Sequence, residues 1–424
     1  SISIVDVADA PRVIRTIQVG DEPRDIVFAG PNGNRAFITT AHRGQNSPVN
    51  PKLQTPGEGR ADVWVFQADN LGSSLIGSPL NIVTLFGDTP RGLAVSPDGR
   101  TVYAAIHQSG NQTALVGENP DHLSPTSTKY RKPGPRTDAT GLEAPNTALI
   151  VKYEGTNWWG SPKWVDENGK NWAYRIRLDL PDYDVFAIDA MASTPKQTDV
   201  WSGVGTTLFN MAVNPVNGDI YVSNHEARNE VRFEGEGERA DKKTLKGNSV
   251  LNRITVISGD RVSPRHLNSH VNYDGHGSES ERSMSLAMPL EMAVTKDGKT
   301  LFTTAYSSSK IGVFNTRDLA SSDPARRAGD TIELSEGGPS GIVLDEDRDR
   351  MYVMTRFGNK IITVDLDTRQ ELSKAAMYNP EPEYLVEGRQ FLYDAEYTSA
   401  HGTNSWCFII SSHTRLMTGT MFSR

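Results

Sequence analysis

Three of the nine histidines end strands of one form: His42 in RAFITTAH, His107 in TVYAAIH and His225 in DIYVSNH. Aligned on the turns before those strands, they share a column with Tyr306 and Arg356. Imidazole is the commonest transition-metal ligand, and three that converge with a water suit zinc first, with copper, manganese and iron also open. Polar side chains in such a column can equally stand solvated or bonded to loop carbonyls. A second column, just ahead of the apolar stretch of each unit's first strand, holds Asp25, Gly92, Asn210, Glu291 and Gly341. Its oxygen donors, Asp25, Asn210 and Glu291, could hold calcium or lend a carboxylate to a transition metal. Hydrogen bonds between neighbouring units are the other reading.

Adjacent positions add Arg24, Arg91, Asn224 and Glu226. Arg24 and Arg91 can orient an anionic ester or lactone through paired N–H donors, or serve as ion-pair partners within the fold. A metal on the histidines would bring bound water close to neutral pKa, with Glu291 or Glu226 as base and Tyr306 at the same mouth. His266, His270 and His276 form a looser group in RHLNSHVNYDGHGSESER, which reads more simply as a solvated loop. No G-x-S-x-G nucleophile elbow and no phosphate-cradling glycine loop before a helix occurs, which disfavours serine hydrolases and nucleotide binders.

The elements that position these residues come from a repeat. PRDIVFAGPNGNRAFITTAH (23–42) and PRGLAVSPDGRTVYAAIH (90–107) are each an apolar strand, a Pro/Gly/Asp/Asn turn and a second apolar strand. Such units are hairpins. The unit returns at 209–225, 290–306 and 340–356, and a third strand follows each copy, at 62–69, 184–191, 253–260, 310–317 and 360–367. A supersecondary unit repeated at this spacing predicts an all-β propeller, with the innermost strands lining a central channel.

SISIVDVADAPRVIRTIQVG at the start reads as a third and fourth strand without a hairpin of their own. Six blades are expected, with seven as the alternative. EYLVEGRQFLYDAE (383–396) is the expected donor of the missing strands, placing Glu396 in the histidine column and closing the ring with the N-terminal strands. The propeller would then span 1–380, with insertions at 108–182, 226–252 and 261–288 and a C-terminal segment at 381–424. NWWGSPKWVDENGKNW (157–172) carries four of the seven tryptophans, either as a hairpin packing its own aromatics or as an aromatic lid.

The bulk numbers bound the partners. With 424 residues, net charge −8 and pI near 5.7, the chain has no basic tract of the kind nucleic-acid binding needs. A single cysteine, Cys407, can make no internal disulfide. No apolar run of membrane-spanning length and no leader is visible, and the start within a strand suggests that something upstream was removed or is absent.

The units at 90–107 and 290–306 resemble the YVTN-repeat propellers, in the pattern P-x-x-apolar-A-V-[ST]-x-D-G-[KR] and the strand after it. That family includes lactonase-like enzymes, surface proteins and redox-associated propellers. The second column is similar in architecture to that of calcium-dependent propeller phosphotriesterases and lactonases. GRQFLYDAEYTSAHGTNS (388–405), with His401, resembles the lead-in to the haem domain of propeller–cytochrome c fusions. The C-x-x-C-H site that follows there is missing: the chain reads WCFIISSHTRLMTGTMFSR, and this tail, 406–424, is unlike the family. No covalent haem is therefore expected.

The resemblance implies a periplasmic or extracellular protein. Two functions follow as expectations. The first is a metal-dependent hydrolase of a small lactone, ester or phosphoester, with His42, His107 and His225 as ligands. The second is a non-catalytic module that docks a redox partner or a lost cytochrome domain.

Overall fold

The computed structural model describes residues 1–8, 10–41, 59–116, 140–142, 149–176, 182–231, 245–321, 330–404 and 421–422. The chain opens with an antiparallel pair, β1 (Ile2–Asp6) and β2 (Arg12–Ile17). Five four-stranded antiparallel sheets follow. The first contains β3 (Ile26–Ala29), β4 (Arg35–Ala41), β5 (Ala61–Gln67) and β6 (Asn81–Leu85).

The second sheet begins with β7 (Pro90–Val95) and β8 (Thr101–Ile106). It is interrupted by a satellite sheet of β9 (Thr113–Val116), β10 (Leu149–Thr156) and β11 (Pro162–Val165), and resumes with β12 (Val185–Asp189) and β13 (Lys196–Trp201). The third contains β14 (Thr207–Val213), β15 (Ile220–Ala227), β16 (Val250–Ser258) and β17 (Arg261–His266), and helix α1 (Glu279–Met284) follows it. The fourth contains β18 (Pro289–Val294), β19 (Thr300–Ala305), β20 (Lys310–Asn315) and, after the short helix α2 (Thr316–Ala320), β21 (Asp330–Glu333). The fifth contains β22 (Pro339–Asp345), β23 (Arg350–Thr355), β24 (Lys360–Asp365) and β25 (Glu371–Ala376). Helices α3 (Glu383–Tyr393) and α4 (Ala395–Thr398) and a two-residue strand, β26 (Met421–Phe422), complete the order.

These sheets are the blades of a β-propeller. The repeated hairpins form the two inner strands of each blade and the expected third strands pair beside them, as in Met211 with Val222 and Tyr221 with Val256. Alternation places one set of side chains toward each neighbouring blade, the two-residue period of a pleated strand. Phe37, Val63 and Val65 of the first blade pack on Leu93, Val102, Ala104 and Ile188 of the second. Phe302, Ile311 and Val313 of the fourth meet Ile342, Met351, Val353 and Ile362 of the fifth in the same way. The core is thus a series of interfaces between blades.

Three expectations are corrected. Residues 383–393 and 395–398 are helical and donate no strand: Gly388 and Arg389 lie inside α3, and Glu396 lies in α4 rather than at the end of a strand. A repeat of paired strands cannot be extended across a segment that makes its hydrogen bonds within itself. Residues 261–266, expected as part of an insertion, are instead the fourth strand of the third blade. The N-terminal pair does not close the ring with C-terminal strands: among the described residues β1 pairs only with β2, and Ile2, Ile4, Ile17 and Val19 pack with Ile38, Trp64 and Phe66 on the first blade.

The tryptophan-rich insertion divides in two. Trp164 and Trp172 are buried in the satellite sheet's own core, where Asp166 accepts the Trp172 indole N–H at 2.6 Å. Trp158 and Trp159 stand exposed on its turn. No helix among the described residues is long and apolar enough to cross a membrane.

Candidate active site at the channel

The innermost strands β7, β14, β18 and β22 carry the second column, and Asp25 stands immediately before β3. In those four strands the pairing slips just there, between Pro90 and Leu93, Leu208 and Asn210, Pro289 and Met292, and Pro339 and Gly341. A bulge re-aims the side chain it carries and frees a backbone N–H from the ladder. A buried hydroxyl on the second strand takes up that donor: Thr39 for Asp25 (3.1 Å), Ser223 for Asn210 (3.1 Å) and Thr304 for Glu291 (2.9 Å). Thr39 and Ser223 in turn donate to Arg91 O (3.2 Å) and Leu290 O (2.5 Å) of the next blade. These hydroxyls were not singled out from sequence. Their signal was a Thr or Ser in one register of an otherwise apolar strand, in FITTA, YVSNH and FTTAY.

Asp25 accepts from its neighbour Ile26 N and from Leu93 N of the second blade, both at 2.8 Å. Burial raises its pKa, against the lowering effect of those two bonds. Asn210 places its oxygen on Met211 N and gives its amide N–H to Glu291 Oε2, each at 2.5 Å. Glu291 is pushed up to about 7, first by burial and then by the Asp25 charge, with Asn210 and Arg91 acting in the opposite direction. The Arg91 pKa is lowered by burial and by Arg24, while Glu291 draws it back, and its guanidinium lies 5.9 Å from the Phe209 ring centre. Arg24 sits 3.6 Å from Glu22. Gly92 faces Asn210 so closely that a Cβ there would lie 3.0 Å from the Asn210 Cα. Asp25, Arg91, Asn210 and Glu291, from four blades, thus form one electrostatic group.

The histidine column does not form as expected. Ile26 pairs with Ile38, Leu93 with Ala104 and Met211 with Val222. Counting from those pairs, Ala41 stands level with His107, His225, Tyr306 and Arg356. The GPNGN turn holds one residue more than its counterparts, which moves His42 one place along, and His42 lies outside the described residues.

His225 is buried, with Nε2 2.8 Å from Asn252 Oδ1, and burial drives its pKa to about 3. Asn252 also accepts from Met288 N and donates to Thr403 O, so His225 belongs to a network that ties the third blade to the fourth and to the chain after α4. His107 holds Leu208 O through Nδ1 at 2.7 Å, and the Phe209 ring lies against both imidazoles, at 5.7 and 4.8 Å.

Glu226 and Tyr306 are engaged elsewhere. Glu226 is held by Arg253 at 3.0 Å and Lys152 at 3.4 Å, with Thr206 and Asn111 donating as well. The buried Asp184 lies in the same region, raised to about 8 by burial and by Asp182, and accepts from Val204 N and Ser109. Sequence reading missed Asp184, because nothing in DVFAID marks its first residue as buried beneath an insertion. Tyr306 packs edge-on against Phe357 and Tyr393 beside α3. His270 contacts Glu281 O and Ser285, and among the described residues no three His, Cys, Asp or Glu side chains gather as a metal site.

The channel residues do not fit a divalent cation as they are arranged. Both Asp25 oxygens take backbone N–H groups, Asn210 turns its amide N–H toward Glu291, and Arg91 brings a positive charge to the place a cation would need. A hard cation requires several oxygens aimed at one point.

Fold and site together define a β-propeller with an acid–base and guanidinium cluster in its channel. No family model matches the chain, and no curated protein matches it. Among solved structures, the hydrazine synthase of Kuenenia stuttgartiensis is 16% identical, covering 84% of this chain and 86% of that one, with a TM-score of 0.39. The periplasmic gluconolactonase of Pseudomonas aeruginosa is 13% identical, covering 90% and 80%, with a TM-score of 0.43.

Proposed function

We propose that the protein hydrolyses a lactone or ester bearing an anionic group in the propeller channel, with Glu291 as general base. The observation that carries this reading is the Glu291 carboxyl, held near neutrality beside Asp25 and oriented by Asn210. A base works best with a pKa close to the working pH. Glu291 takes a proton from water as its oxygen attacks the carbonyl carbon. The oxyanion forms on the side of Arg91, whose charge stabilises it. The carbonyl re-forms, the C–O bond to the ring or leaving oxygen breaks, and that oxygen recovers the proton from Glu291. Water is added across the ester and no other reactant is needed.

Arg24 and Arg91 supply the positive charge for an acidic substituent. The likeness of 90–107 and 290–306 to YVTN propellers supports the lactonase class and a site of action outside the cytoplasm. A panel of sugar-acid lactones and carboxylated aryl esters, followed by acid release at constant pH, tests the reading. Hydrolysis that survives chelation and is lost in Glu291→Gln is expected. Turnover by the variant at the wild-type rate would overturn it.

A further inference from the structure

A cavity of about 410 Å³ lies between the fourth and fifth blades and the helices α3 and α4. The blades contribute the turn after β19, the link from β21 to β22 and the turn from β23 to β24, and the two helices close the other side. None of Asp25, Arg91, Asn210 and Glu291 lines it, so it is a place apart from the channel cluster. Its volume is that of a small-molecule site.

The walls combine apolar surface with an excess of negative charge. Leu334 and Phe357 are buried in them, and the Phe357 ring is held so close to Gly337 and Gly338 that a Cβ at either glycine would overlap it. Five carboxyl groups line the same space, and no Lys or Arg does. Two of the five are paired from behind the wall: Glu336 with Lys360 at 2.6 Å and Lys374 at 3.4 Å, and Glu333 with Lys310 at 3.4 Å. Glu387 and Glu396 have no ion-pair partner among the described residues. Asp394 is 5% exposed and accepts from the Ser309 hydroxyl at 2.6 Å and from Glu396 N at 3.0 Å. Burial raises its pKa, those two bonds oppose the rise, and the Glu396 charge adds to it. Three carboxyls thus share one cavity without an ion pair.

The spacing of these groups selects the ligand. Among the described residues no three carboxyl, imidazole or thiol side chains gather as a metal site, so the charge is spread along the walls and not aimed at one point. Spread carboxyls over an apolar wall match positive charges spaced along a hydrocarbon chain. We infer that this cavity binds a small aliphatic di- or polyamine, with its ammonium groups on Glu387, Glu396 and Asp394 and its methylenes on Leu334, Phe357 and Val386. Tyr397 adds an aromatic wall on which an ammonium can rest. The bound amine would tie the helices to the blades. Helix α3 buries no residue of its own and is held through Arg389, which donates to Arg356 O and Phe357 O at 3.2 and 3.0 Å, and through the Tyr393 ring on Tyr306 and Phe357. This inference rests on the cavity and is independent of the chemistry assigned to Glu291.

Spermidine is the probe, titrated by isothermal calorimetry in about 150 mM salt, which screens diffuse attraction to a chain of net charge −8. Saturable one-to-one binding is expected, with slowed amide exchange in α3 and α4 and weaker binding of n-butylamine, which carries a single charge. Glu387→Gln and Glu396→Gln should each weaken spermidine binding by about five- to tenfold, and the double variant should abolish it. Both side chains are exposed, so the variants should keep the wild-type circular dichroism and melting temperature. No saturable binding to the wild type, or unchanged affinity in the double variant, overturns the inference. Calcium that displaces spermidine at equal concentration also overturns it, by assigning the carboxyls to a metal ion. A Lys-rich peptide that binds more tightly than spermidine and protects α3 does the same, by assigning the place to a protein partner.

Discussion

Glu291→Gln keeps the size of the side chain and an oxygen for Asn210 while removing the proton equilibrium. Burial and Asp25 raise the carboxyl from 4.5 to about 7. That difference, about 2.5 units, corresponds to about 3 kcal/mol between the protonation states of the folded chain and those of the unfolded one. The folded state holds the proton more tightly, so the contribution of this group is fully present below pH 4.5 and is lost as pH rises through about 7. The pKa values of Asp25, Asp182, Asp184 and Asp394 are raised too, and wild-type stability alone would mix them with Glu291.

The difference between variant and wild type isolates Glu291. Urea unfolding at pH 4.5 and at pH 8.5 should show the variant gaining about 3 kcal/mol on the wild type across that interval. In the channel assay, wild-type kcat/KM should rise with pH through about 7, and the variant should be flat and about 10²- to 10⁴-fold slower. Parallel stability curves, or a variant that keeps the wild-type pH profile, would refute the placement of this carboxyl.

Arg91→Met should lower kcat/KM for carboxylated substrates by about 100-fold and for neutral ones by less, because it removes both the anion contact and the oxyanion charge; steady-state kinetics on matched substrates reads the split. His225→Ala should cost about 3 kcal/mol at pH 7 through the cavity it leaves and the hydrogen bond to Asn252 that it removes. Because the pKa of His225 is lowered to about 3, its favourable contribution falls as pH drops below 6.5, so the deficit of the variant should shrink toward pH 3 in pH-dependent unfolding. Gly92→Ala should destabilise by about 1 to 3 kcal/mol, since a Cβ would press on the backbone of Asn210; thermal melts check it.

Much of the propeller was legible in the residues. Two-residue alternation and turn chemistry depend on neighbours along the chain, and they marked every inner hairpin and every third strand of the five complete blades. The column of Asp25, Asn210 and Glu291 was legible for the same reason, because a repeat turns position in sequence into position around a ring. Where the repeat lost its step, the reading failed. One added residue in GPNGN moved His42 off the column, and the apolar pattern of 383–396 suited a helix as well as a strand.

Only the tertiary structure decided which polar groups are buried together. It assigned His225 to Asn252, Glu226 to Arg253, and the raised pKa of Glu291 to its surroundings in the channel. A pKa is set by burial and by charges brought from other blades, and no local pattern carries that information.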